Sequence, residues 1–161
     1  MQKYKFSLAY KVKPLLRLVE KTDHRTLAVW AIDCVRRVLP YFEKKYPKDH
    51  RPQNAIKALR AWIKTGKFKM AIIRGASLAA HAAARQVGED NAVRSAARAV
   101  GQAVATAHVP THSIAAANYA LQAIYRASNP AEAEKAVEKE RKWQYKRLIE
   151  LRKNKKRGPG V

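Results

Sequence analysis

Acidic side chains are scarce in this 161-residue chain, which has 12 Asp and Glu against 34 Lys and Arg and a formal net charge of +22. No two carboxylates are spaced as a general acid–base pair would require. There is one cysteine, Cys34, which excludes an intramolecular disulfide and fits a reducing compartment. No run approaches the ~20 apolar residues that cross a bilayer. The N-terminal MQKYKFSLAYKVK lacks the continuous apolar stretch of a secretory signal peptide, so a cytoplasmic location is expected. The chain also lacks a Gly-x-Ser-x-Gly elbow, a phosphate-cradling Gly-x-x-x-x-Gly-Lys loop, Cys/His zinc fingers and RNA-stacking motifs. Together these absences predict a non-enzymatic protein with no cofactor and no metal.

The basic residues are unevenly placed. Between Gly75 and Ala131 only Arg85, Arg94, Arg98 and Arg126 are basic, in a stretch carrying 20 alanines. The flanks hold the rest: 19 basic against 5 acidic residues over Met1–Arg74, and 11 against 5 over Glu132–Val161. Unpaired Lys and Arg are costly to bury, so this excess must face solvent or an acidic partner. Alanine loses no side-chain entropy in a helix but has little to bury, so helices faced with it gain packing only by close approach.

Helical patterning dominates. Thr22 or Asp23 can cap a helix from His24 to about Tyr46. Its apolar stripe is Leu27, Trp30, Ala31, Cys34, Val35, Val38 and Phe42, at a 3.6-residue period. Pro40 should kink or split it near Leu39. Pro52 suits the first turn of the next helix, with Ile56, Leu59 and Ile63 inward and Gly66 as its stop. Further helices are expected at about 68–87, 90–107 and 112–127, capped by Asp90 or Asn91 and by Thr111. A last helix opens at Asn129-Pro130 and reaches into the 150s. Tyr4–Val12 alternates with period two but has no partner strand, so it is a short helix or an arm lying on the domain or on a second copy in a homodimer. The expectation is an all-α single domain over 1–157, with 1–13 an arm or short helix. It is a bundle of about six to seven helices with an Ala-rich centre, a long basic C-terminal helix and a disordered tail at 158–161.

Four segments carry a resemblance: TLAVWAIDCVRRVLPYFE (Thr26–Glu43), RPQNAIKALRAW (Arg51–Trp62), AAHAAAR (Ala79–Arg85) and ATAHVPTH (Ala105–His112). In this order and spacing, over about Asp23–Ala127, the chain resembles the putative immunity proteins associated with bacterial polymorphic-toxin systems. The resemblance implies an all-helical protein that acts by binding another protein.

Candidate chemistry is thin. His81, His108 and His112 form a candidate polar cluster in the core; three imidazoles suit zinc, but Pro110 separates two of them and no orienting carboxylate is near in sequence. Ser77 and His81 are one helical turn apart, with Asp33 as a conceivable third member, a spacing that arises by chance in any Ala/Ser-rich helix. Cys34 lies on an apolar stripe and reads as a buried, inert thiol. The C-terminal helix is more informative. Lys135, Lys139, Lys142, Lys146 and Lys153 fall within about 60° of one another at ~100° per residue, opposite Ala133, Val137, Leu148 and Leu151. With Arg147 and Arg152 they make the candidate binding residues, although Glu132/Lys135, Glu138/Lys142 and Glu150/Lys153 are also spaced as ordinary surface ion pairs. The expected partner is an acidic protein such as a toxin. The alternative is the DNA or RNA backbone, bound without sequence preference.

Overall fold

The computed structural model describes residues 6–8 and 12–156, and these hold eight α-helices and no strand. The helices are α1 (Lys13–Glu20), α2 (His24–Arg36), α3 (Leu39–Lys45), α4 (Arg51–Thr65), α5 (Met70–Gln86), α6 (Ala92–Ala105), α7 (His112–Ala127) and α8 (Ala133–Lys156). Eight replaces the expected six to seven for two physical reasons. Pro40 has no N–H to donate, so the chain turns at Val38, where Val38 and Tyr41 make three-residue hydrogen bonds, and α3 starts anew. In addition, α1 forms just after the alternating Tyr4–Val12 segment, in a stretch where no helix was expected, and has Pro14 in its first turn.

Local signals explain most boundaries. The Asp23 carboxylate accepts from the Thr26 amide at 3.1 Å, and the Asn91 side chain accepts from the Arg94 amide at 3.1 Å, satisfying N-terminal donors of α2 and α6. Gly66 ends α4 in the left-handed region (φ +69), where a side chain would be strained. At α7 the Thr111 side chain makes no capping bond. After Asn129-Pro130 the chain makes one turn, with Asn129 Oδ1 accepting from the Ala131 amide, before α8 begins at Ala133.

The central helix is α6, which packs against α2, α3, α4, α5 and α7. Its buried residues are mostly small (Ala96, Ala97, Ala99, Gly101, Ala103), as close approach requires. Every residue of the expected α2–α3 stripe is buried, Trp30, Cys34 and Val38 completely. The main core joins α2–α7, and a second cluster (Val19, Leu27, Trp30, Cys34, Ala117, Leu148) locks α1 and α8 onto α2 and α7. Unlike α6, α5 is an edge helix: it buries Ile73, Ala80, Ala83 and Ala84 and leaves its other face open. Ahead of α1, residues 6–8 lie on α7, with the Phe6 ring 5.7 Å from Tyr125 and the Leu8 carbonyl accepting from Asn118 at 3.2 Å. The rest of the Tyr4–Val12 arm before Val12, and the tail expected at 158–161, lie outside the described residues.

Candidate protein-docking surface

The long basic helix is fixed by a polar seam that α2 presents at one-turn intervals. Trp30 Nε1 donates to the Gln144 carbonyl at 2.9 Å, and the buried Gln144 amide in turn donates to the Ala117 carbonyl at 3.1 Å. Arg147 Nε donates to Asp33 at 2.8 Å. Arg37 makes a two-pronged bond to Glu140, at 2.5 and 3.0 Å, and lies over the Trp143 ring at 4.0 Å. Hydrogen bonding to Glu140 raises the Arg37 pKa. At the far end Arg152 donates to the carbonyls of Leu18 and Lys21 and to the Thr22 hydroxyl, and Lys155 reaches Asp23 at 2.8 Å. Burial pushes the Asp23 carboxyl up, but the bonds from Lys155 and Thr26 outweigh it and hold the carboxyl at about 2.

The candidate binding residues therefore divide. Arg147 and Arg152 are half-buried and tie α8 to the body of the protein. Lys135, Lys139, Lys142, Lys146 and Lys153 all stand exposed on the outer face. Of the three expected ion pairs, only Lys142–Glu138 forms, at 4.0 Å, while Glu150 turns to Arg147 at 3.3 Å. Among the described residues Lys135, Lys139, Lys146 and Lys153 make no ion pair. Beside this face, a cavity of about 370 Å³ between α1, α7 and α8 is lined by Pro14, Leu15, Ile114, Leu121 and Tyr145, with Lys142 and Lys146 also among its lining residues.

The histidines serve packing. Burial, then the nearby Arg98 and Arg85 guanidinium groups and His112, lower the His81 pKa. The His81 ring lies so close over Gly101 that a Cβ there would sit 2.6 Å from its Nε2. His112 Nδ1 is 2.7 Å from Gln102 Oε1, and the His108 ring stacks on Phe68 at 6.0 Å. Among the described residues no three His, Cys, Asp or Glu side chains are placed to hold a metal ion. Ser77 donates to the Gly101 carbonyl at 2.9 Å, and Asp33 is engaged by Arg147, so each makes a structural bond. Cys34 is fully buried, and burial raises its thiol pKa well above the ordinary value, against reactivity. No described helix is long and apolar enough to cross a membrane.

Sequence reasoning missed the seam, although one signal was available. Trp30, Asp33 and Arg37 lie at i, i+3 and i+7 along α2 and its C-cap, and Glu140, Gln144 and Arg147 answer them at i, i+4 and i+7 on α8. No curated protein and no solved structure matches the chain. The Imm-5 like putative immunity protein family matches residues 17–151, a span that runs from α1 through most of α8 and takes in both halves of the seam. By that match over most of its length, the chain belongs to the Imm-5 like putative immunity protein family.

Proposed function

We propose that this protein acts without catalysing a reaction, as an immunity-type binder that docks on an acidic protein, such as a toxin, through its basic surface. The observation that carries the reading is the lysine row of α8: cations on one face, largely without intramolecular partners, on a helix held rigid by the seam behind it. Family membership supports a protein partner. Charges gathered on one face speed association with a surface of opposite sign and reject partners of like sign. With the backbone beneath them already fixed, binding costs only the rotamer freedom of the lysine side chains themselves.

The test is co-expression with an acidic toxin-domain protein encoded beside this one, scoring growth and complex formation. The wild type is expected to restore growth. Lys142→Glu with Lys146→Glu is expected to weaken the complex at least tenfold while leaving the melting temperature within ~1 °C, because both side chains are solvated. A large loss of melting temperature, or undiminished protection by the double variant, would sink the α8 docking face.

A second reading rests on the same row. A 24-residue helix spans about 36 Å, and its lysines could track a phosphate backbone with no base readout. That reading requires binding with a steep salt dependence.

A further inference from the structure

Among the described residues the large apolar side chains left exposed are Phe68 (41%), Met70 (44%), Ile72 (54%), Leu78 (53%) and Tyr145 (36%). Single exposed apolar residues are ordinary; a cluster of them marks a contact surface. Four of the five fall within eleven residues: Phe68 ahead of α5, Met70 at its first position, and Ile72 and Leu78 on its outer face. At about 100° per residue, Ile72 and Leu78 stand on either side of Gly75, where an added Cβ would meet nothing within 4 Å. The interaxial distance between packed helices depends on side-chain size at the contact, so this face accepts a close neighbour. At its α4 end a shallow groove of about 180 Å³, lined by Ala58, Ala61, Trp62 and Ile72 together with Lys67 and Lys69, offers room for an aliphatic side chain.

The charge around the face selects the occupant. From His50 to Gly88 there is no acidic residue, while Lys64, Lys67, Lys69, Arg74 and Arg85 are all present. Two copies of this chain would bring like charges together in a protein already at +22, which disfavours self-association here. A partner with carboxylates around an aliphatic stripe satisfies both the apolar centre and the basic rim.

We propose that the outer face of α5, with Ile72 and Leu78 as anchors, Phe68 at its entry and Lys67, Lys69 and Arg74 as rim, receives an acidic amphipathic helix of the protein partner. This deepens the proposed function and rests on its protein-binding reading: α8 supplies long-range charge, and α5 supplies the buried centre that determines affinity.

The experiment uses the full-length, isotope-labelled chain and a synthetic helical peptide with leucines at i, i+3, i+4 and i+7 flanked by glutamates. A scrambled peptide of the same composition and polyglutamate serve as controls. Amide shift changes are expected to concentrate at residues 68–82, with affinity at least tenfold above the scrambled peptide. Leu78→Glu should remove that preference and leave the melting temperature unchanged, since the side chain is half in solvent. Equal affinity for both peptides, or indifference to Leu78→Glu, would overturn the proposal. Shifts confined to α8 would also overturn it while leaving α8 docking intact. Failure of the protein-binding reading itself would show instead as duplex binding that polyglutamate cannot displace.

Discussion

Two glycines in neighbouring helices should respond to the same substitution with opposite signs. Replacing a mid-helix glycine by alanine ordinarily stabilises by about 0.5–1 kcal/mol, through lower unfolded-state entropy and better helix propensity. At Gly75 the new methyl would meet nothing within 4 Å, so that gain should appear in full. At Gly101 it would lie 2.6–2.8 Å from three atoms of the His81 ring, which must shift. Overpacking of this kind costs ~1–3 kcal/mol, and it exceeds the propensity gain. Gly101→Ala should therefore destabilise by about 1 kcal/mol, or ~2–4 °C for a chain of this size, while Gly75→Ala raises the midpoint. Urea and thermal unfolding followed by circular dichroism measure both. Adding His81→Ala to Gly101→Ala should recover part of the loss, since residues in contact couple by ~0.5–3 kcal/mol. If Gly101→Ala proves as stabilising as Gly75→Ala, α5 and α6 do not approach as described, and the assignment of the inner and outer faces of α5 fails with it.

The Asp23 cap predicts an acid-sensitive contribution. Its folded pKa, near 2, lies below the unfolded value of ~3.9, so its stabilisation is full above pH ~4 and lost as pH falls through 2. Asp23→Ala should accordingly cost about 1 kcal/mol at pH 7 and almost nothing near pH 2, as chemical denaturation at the two pH values would reveal. The Arg37–Glu140 pair should be asymmetric, because Glu140 is 7% exposed and Arg37 43%. Arg37→Ala strands a buried carboxylate, at ~3 kcal/mol or more, whereas Glu140→Ala leaves a cation that can turn to solvent and should cost ~1–2 kcal/mol. Equal losses in equilibrium unfolding would contradict the seam as described.

The sequence carried the all-helical architecture well, because period-3.6 apolar stripes and caps act locally. The α2–α3 stripe, the Asp23 and Asn91 caps and the Gly66 stop are all present. Less legible was which Ala-rich helix lies in the middle. Composition makes α5, α6 and α7 look alike, but burial depends on neighbours, and α5 has them on one side alone. The α8 lysine face was legible from helical angles, whereas the inward roles of Arg147 and Arg152 were not. Those roles depend on Asp33 and on the carbonyls of Leu18 and Lys21, more than 100 residues away in sequence. Glu140 and Gln144 were hidden for the same reason: in a helix so rich in charge, a buried polar residue is visible only once its partner is placed.

The measurement that tests the central claim most directly is binding to a labelled DNA duplex and an RNA hairpin across a salt series, with polyglutamate as competitor. The account predicts weak association that polyglutamate abolishes and that vanishes by physiological salt, as for a basic surface built for an acidic protein. Micromolar or tighter binding at physiological salt, resistant to polyglutamate and steep in log–log slope, would contradict it and make the nucleic-acid backbone the partner.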